Sequence, residues 1–369
     1  MRIWATLLAV LISGCSTNPP HGGAVSLCVG DGGDCFPTIQ AAVDSLSNVE
    51  RRVEIHIASG RYYEKLVVTQ PNIHFIGDAN SPSTIYHGTF AGQPMPGSDE
   101  TYGTWRSATV TIRSQDVSFK HINIFNTYDY PSNDALDKND PAKQRGSQAV
   151  ALMLDKGSDR FLFQSGEIKG YQDTLFTLAG RSLFINSTIS GHVDFIFGAG
   201  TALFVGNTIV TEPRAKPMQT IGYLTAPSTD IGTNYGLVFW NNKLTANSGV
   251  APNTMGLGRP WHPTTTFADG RYADPNAIGQ SIFIANWMGE HIQTHPWHPM
   301  GGTAKEGGKT YFQPEDARFF EYASCGPGGS HSTSRRQLEY QQITTFEPMA
   351  VLGDWHPDVD FEVTLNCPR

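Results

Sequence analysis

The chain reads as an all-β solenoid, a parallel β-helix whose long loops form a groove, and three features of the sequence point to it. The first is a repeat in which an aromatic is followed five residues later by an aliphatic. It occurs at Phe119/Ile124, Phe163/Ile168, Phe184/Ile189, Phe204/Ile209, Phe239/Leu244 and Phe283/Met288. The steps between these phenylalanines are 44, 21, 20, 35 and 44 residues, which reads as single turns of 20 to 22 residues, two doubled turns and one turn with an insertion. Phe75, another 44 residues upstream, extends the series, although Asn80 breaks the second half of the pattern there. The second feature is the character of each unit. Ser182-Leu183-Phe184-Ile185-Asn186-Ser187-Thr188-Ile189-Ser190 is β-branched and aromatic, with polar residues where a helix would need an apolar stripe, so strands fit it best. The third is the set of long polar, Pro/Gly-rich insertions at 90–106, 126–147, 212–234, 247–279 and 293–317. Loops of that length are rarely idle, and on a solenoid they wall a groove.

Taken in chain order, Met1-Arg2 and a short apolar run over 3–12 read as a signal peptide covering 1–14. The run ends in Leu11-Ile12-Ser13-Gly14-Cys15, whose last four residues resemble a bacterial lipobox. That likeness implies lipidation of Cys15, and Ser16 rather than Asp after it points to an outer-membrane lipoprotein. An ordinary signal peptide, giving a secreted or periplasmic protein, is the alternative, but no A-x-A-like site precedes the cysteine. A lipidated linker then covers 15–24, and the remaining 25–369 form one solenoid domain. Residues 37–46 read as a short capped helix that plugs one end of the solenoid. Strands follow at Val53–Ile57, 66–69, Ile73–Ile76 and 109–112 and continue to about Ile292. The last 50 residues, with Phe319-Phe320-Glu321-Tyr322 and Val351-Leu352-Gly353-Asp354-Trp355, lose the repeat and read as a tail packed back along the coils. Four cysteines besides Cys15 imply two disulfides in an exported protein. Of the three connectivities, Cys28–Cys35 and Cys325–Cys367 are the shorter closures, both expected outside the regular coils.

A solenoid grows by adding coils, so 369 residues are read as one elongated, monomeric domain rather than two. The formal net charge of −8 comes without any basic run or basic-aromatic patch, which argues against a nucleic-acid partner. An acidic surface also repels a long polyanion, so a polyuronate would bind more easily where its carboxylates are esterified.

The chemistry centres on two aspartates 21 residues apart. Asp173 lies in Gly170-Tyr171-Gln172-Asp173-Thr174-Leu175-Phe176, and Asp194 in Gly191-His192-Val193-Asp194-Phe195-Ile196-Phe197-Gly198. Each follows its repeat isoleucine, Ile168 or Ile189, by five residues. They therefore occupy one phase of adjacent coils, at about the ~4.8 Å inter-strand spacing. Two solvated aspartates on an outer face would be the plain reading, but these are embedded in Leu175, Phe176, Phe195 and Phe197. Close carboxylates among apolar groups cannot both ionise easily, so one can serve as nucleophile and the other as acid. Gln172 precedes Asp173, and Gln148 lies about one coil earlier. Neutral amides beside such a pair can donate to a developing oxyanion. Arg259, in Gly256-Leu257-Gly258-Arg259-Pro260-Trp261, is a rigidly presented guanidinium that would keep one carboxylate ionised and oriented. His192 does not make a Ser-His-Asp triad, since G-x-S-x-G is absent; it is expected on the same side of its strand as Asp194. No H-E-x-x-H spacing is present either, and no metal or cofactor is called for.

These motifs, with Gly146-Ser147-Gln148-Ala149-Val150-Ala151-Leu152 upstream, closely resemble the pectin methylesterases, carbohydrate esterases on a right-handed parallel β-helix. The resemblance runs over roughly 38–355, and 256–280 is similar to bacterial secreted members. It implies that Asp194 is the nucleophile, Asp173 the acid/base, Gln148 and Gln172 the oxyanion hole and Arg259 the group that orients Asp194, while Trp261 stacks on a sugar. It also implies substrate contacts for Thr109, Phe176, Val193, Phe197, Tyr223, Ala226, Thr264 and Met300. Phe176 stands where a tyrosine is common. Asn186 and Asn207 stand where related enzymes can place a disulfide, and the insertion around 293–300 carries its own Trp297.

The implied substrate is methyl-esterified pectin or its oligomers, with the membrane met only through the lipid anchor. Three other readings compete. A pectate-lyase-like β-helix enzyme would need Ca²⁺ and leave unsaturated chain ends, whereas an esterase releases methanol. A non-catalytic binding lipoprotein would have no use for all five polar groups together. The same chemistry on another ester is distinguished only by assay.

Overall fold

The computed structural model describes residues 24–47, 50–330, 332–361 and 366–367. Residues 1–23, which hold the stretch read above as signal peptide, Cys15 and most of the expected linker, lie outside the described residues. Three stacked parallel sheets wind around one core: a ten-stranded sheet opening with Val25–Val29, an eight-stranded sheet and a seven-stranded sheet. Each of the seven full coils contributes one strand to each sheet in turn, and the coils at the two ends are incomplete, so the chain advances one rung per circuit.

The aromatic repeat becomes a literal ladder. Phe75, Phe119, Phe163, Phe184, Phe204, Phe239 and Phe283 are successive partners in register. Their rings stack at 4.4 Å for Phe75/Phe119, 4.5 Å for Phe204/Phe239 and 4.4 Å for Phe239/Phe283. The aliphatic column runs in parallel through Ile124, Ile168, Ile189, Ile209, Leu244 and Met288, and Ile85 replaces Asn80 at its start. Stacked aromatics and branched aliphatics stabilise neighbouring rungs by burial and ring contact together.

The register corrects the turn count. Phe119 pairs directly with Phe163, and Phe239 with Phe283, so each 44-residue step is a single coil carrying a long insertion. The extra residues leave the coil at its corners as loops and do not form a second rung. A second correction concerns the C-terminal end. Arg318–Tyr322 is not tail but the tenth strand, paired with Gln280–Ile284. Its register sets Glu321 opposite Phe283, so the ladder ends in a carboxylate, and the repeat is invisible there. Glu321 is buried against Arg335, with Nε–Oε1 2.9 Å and Nη2–Oε2 2.8 Å.

Thr38 caps the helix Ile39–Asp44 by accepting from the Ala41 amide, and Ile39, Ala42 and Val43 close the first coil as the capping role requires. The tail helix Pro348–Leu352 lies along the flank of the ten-stranded sheet, with Val351 and Leu352 on Leu183, Leu203 and Val238 of three inner strands and Trp355 in the same cluster. The disulfides are Cys28–Cys35 and Cys325–Cys367. Cys28, however, sits in the first strand of the ten-stranded sheet, so that pair is not outside the coils. A buried asparagine ladder replaces any staple at 207. Asn207 Nδ2 donates to Asn242 Oδ1 at 3.0 Å, and Asn242 Nδ2 to Asn286 Oδ1 at 3.0 Å.

Candidate active site

The two glutamines and two aspartates converge on three successive rungs of the seven-stranded sheet, and Arg259 joins them from beyond the next strand, Gly222–Pro227. Gln148 precedes Leu152–Leu154, Gln172 and Asp173 precede Leu175–Thr177, Asp194 lies in Val193–Gly198, and Arg259 follows Met255–Gly258. Leu175 pairs with Ile196, the same 21-residue offset that separates the aspartates. The Asp173 amide donates to the Val193 carbonyl at 3.1 Å, tying the two rungs at the site itself.

The backbone at both acids is special. Asp173 has φ +62° and Asp194 φ +49°, a left-handed conformation that non-glycine residues adopt at a cost. At Asp194 this coincides with a register shift: Val193 pairs with Tyr223 and Ile196 with Thr225, so three steps on one strand oppose two on the next. Such a bulge re-aims one side chain. Here it interrupts the alternation, so Asp194 enters the cleft while His192 does not. The expectation that His192 shares the side of Asp194 is therefore corrected. His192 is fully buried with its ring 4.4 Å from Tyr130 and 5.5 Å from Tyr171. Burial, with Arg214 nearby, pushes it down to about 3. Gly191 allows this corner: a Cβ there would lie 2.4 Å from Phe195 Cβ and 2.7 Å from the Tyr171 carbonyl oxygen.

The cleft, of about 260 Å³, is lined by Gln148, Gln172, Asp173, Asp194 and Arg259 together with Thr104, Trp105, Phe197, Ala226, Trp261 and Met300. Arg259 grips Asp194 as a fork, Nε to Oδ1 at 2.8 Å and Nη2 to Oδ2 at 2.5 Å. Burial drives both acids above the ordinary carboxylate range. Asp173 is raised far, by burial and by the Asp194 charge, with Arg259 only partly opposing. Asp194 is raised by burial but held back by the Arg259 hydrogen bonds and charge. The two carboxyls thus differ: Asp173 is pushed furthest towards its protonated form, while the Arg259 fork favours the carboxylate form of Asp194. The side-chain amides of Gln148 and Gln172 are not taken up by any other described group, leaving their N–H donors free for a ligand. Among the described residues no three His, Cys, Asp or Glu groups converge to hold a metal ion.

The wall residues are a mixed result. Of the residues for which the resemblance implied substrate contacts, Trp261, Phe197, Ala226 and Met300 line the cleft. Thr109 does not. It is fully buried in the bend just before the strand Val110–Ile112, with its hydroxyl donating to the Phe125 carbonyl at 3.0 Å. Phe176 is also fully buried, stacked at 4.2 Å on Phe197 and covered edge-on by Trp105 at 5.1 Å, so it supports the wall from behind. Val193, Tyr223 and Thr264 are half-buried and lie outside the cleft lining, with the Thr264 hydroxyl 3.0 Å from that of Thr303. Thr104 and Trp105 were missed. Their signal was the 90–106 insertion, at whose end the short helix Gly103–Ser107 leaves the Trp105 side chain 47% exposed.

A carboxylate held by an arginine fork, a second carboxyl one rung away that burial pushes upwards and two free amides, all on a parallel β-helix, are groups suited to a carboxylic ester hydrolase. The chain matches the family described as Pectinesterase over residues 26–347 and belongs to it. It is 42% identical over 328 residues to Pectinesterase A of Dickeya dadantii strain 3937, covering 88% of this chain and 89% of that protein. Among solved structures it is similar to a pectin methylesterase in complex with a hexasaccharide, with TM-score 0.87 and 42% identity over 92% of this chain and 100% of that one. It is also similar to the pectin methylesterase from Yersinia enterocolitica, with TM-score 0.82 and 41% identity over 87% and 99%. The fold is accordingly the right-handed parallel β-helix of these esterases.

Proposed function

We propose that this cleft hydrolyses the methyl esters of galacturonate residues in pectin, releasing methanol and pectate, with Asp194 as nucleophile and Asp173 as acid and base. The observation that carries the assignment of roles is the Arg259 fork on Asp194 alone. A carboxylate so held stays ionised and aimed, while its neighbour, pushed up by burial and by that charge, holds a proton. Asp194 attacks the C6 carbonyl carbon, and the Gln148 and Gln172 amides donate to the resulting oxyanion. As the bond from carbon to the methoxy oxygen breaks, Asp173 passes its proton to the departing methanol. The Asp173 carboxylate then takes a proton from water, whose oxygen attacks the acyl carbon and frees Asp194 and the uronic acid. Trp261, Phe197 and Met300 give the cleft the apolar surface that a sugar ring and its methyl ester favour.

The test is methanol release from highly methylated pectin by wild type and Asp194→Asn. The wild type should release methanol and the folded variant none, since an amide cannot form the acyl-enzyme. A folded variant working near the wild-type rate would overturn the assignment, and unsaturated chain ends in place of methanol would indicate a lyase.

The chain is further read as an exported outer-membrane lipoprotein, on the strength of Ser13-Gly14-Cys15 after the apolar run. Cys15→Ala should then lose its membrane association or accumulate as precursor. A variant that is processed normally and still pellets with membranes would refute the lipid anchor.

A further inference from the structure

We infer that Tyr223 is a positioning residue for the nucleophile, acting through Arg259 as one link of a chain that the 293–317 insertion completes. This rests on the functional reading above and assigns Tyr223 a role other than the sugar contact that the resemblance implied.

The geometry is specific. The Arg259 guanidinium carbon lies 4.3 Å from the centroid of the Tyr223 ring, over its face. The same guanidinium presents Nε and Nη2 to Asp194. One flat cation thus has its edge on a carboxylate and its face on an aromatic ring. Two hydrogen bonds fix an arginine in its own plane but leave it free to tilt about the line joining them; a ring packed on its face removes that freedom. Tyr223 itself is fixed from two sides. Its backbone is in register with Val193, next to Asp194, and with Gly256. A Cβ on Gly256 would lie only 2.7 Å from Tyr223 Cδ1, so the ring occupies the space which that glycine leaves open. His298 closes the other side, edge-on at 5.1 Å, and its Nε2 is 2.7 Å from Gln293 Oε1. Gln293 and His298 belong to the insertion whose purpose the sequence left open. The line runs Gln293, His298, Tyr223, Arg259, Asp194.

Tyr223 does not line the acid-pair cleft, and its ring face is packed on the arginine. The charged and titratable groups around this line are Asp194 and Asp173 on the cleft side, and His298, pushed down by burial and by the Arg259 charge, on the insertion side. Removing the ring face loosens the fork. Asp194 then holds its proton more readily, and activity that needs the carboxylate is lost at a higher pH.

Three variants test this by methanol release against pH, with circular dichroism and thermal midpoints as folding controls. Tyr223→Phe keeps the ring face and should stay within about two-fold of wild type. Tyr223→Leu should lose about ten-fold in kcat with KM nearly unchanged, in the range expected for a desolvated cation–π contact. Its acid limb in kcat/KM should move to higher pH. His298→Ala should show a smaller shift in the same direction. A Tyr223→Leu enzyme that raises KM at constant kcat, or a Tyr223→Phe enzyme as impaired as Tyr223→Leu, means a substrate contact through the ring or hydroxyl and overturns the inference. Unchanged kinetics and an unmoved acid limb in folded Tyr223→Leu also overturn it. If instead the wild type releases no methanol, it is the functional reading that fails.

Discussion

Replacing Asp173 with asparagine should cost the enzyme its turnover and yet make the fold more stable at neutral pH. Asp173 is buried, lies one rung from another carboxylate, and is raised well above the ordinary range by burial first and by Asp194 second. Folding therefore holds a proton on this group that the unfolded chain releases once pH exceeds the ordinary carboxylate value. Between that value and the raised folded value the native state binds more protons than the unfolded state. Stability must fall with rising pH across that window, by about 1.4 kcal/mol per pH unit for one group. Below the unfolded value the penalty is absent. Asparagine cannot ionise, so Asp173→Asn should match or exceed the wild type in neutral buffer, and their difference should shrink as pH drops towards 4. Each kcal/mol corresponds to about 2 °C or less in a chain of this size. Thermal midpoints at matched pH values from acid to neutral, with methanol release on the same samples, make the measurement. Turnover should fall by about 10² to 10⁴, the usual worth of acid–base help. A stability difference that does not change with pH would refute the claim that Asp173 carries the displaced proton.

Arg259→Lys keeps the charge but surrenders the fork, and should lower kcat about 10- to 100-fold through one lost charge-assisted hydrogen bond. Because Asp194 is opposed only by Arg259 in its drift upwards, the acid limb of the methanol-release profile should move to higher pH; an unmoved limb would contradict the role. Glu321→Gln leaves Arg335 buried without its partner at the end of the aromatic ladder and should destabilise by about 3–5 kcal/mol in denaturant titration, with kcat at 25 °C nearly unchanged. A loss under 1 kcal/mol would show that the pair is not the structural cap described here.

The solenoid and its acid pair were legible because both follow from periodicity. The phenylalanine column gave the coil, and the shared five-residue offset from Ile168 and Ile189 put Asp173 and Asp194 on adjacent rungs. Three things were not legible, each for its own reason. The 44-residue steps hid single coils, since a period measured along the chain counts loop residues as rungs. The last strand escaped because Glu321 breaks the aromatic pattern where a buried ion pair ends the stack. Thr109 and Phe176 lie outside the cleft lining, while Thr104 and Trp105 line it without having been named from the sequence. Loop residues reach the cleft by paths that sequence spacing does not encode, and a strand residue of the right type can point inward.

Because every long insertion leaves the coil at a corner, the aromatic ladder stays in register whatever the loop does. Doubling a loop adds only about 0.6 kcal/mol of closure entropy, against rungs secured by burial on both neighbours. Reaction and recognition are therefore separable inheritances in this molecule. The distance between the two carboxylates is set by rung spacing, which cannot change without unwinding the coil. The reach and texture of the groove walls can drift by whole segments, so divergent pectins can be met without retuning the acid pair.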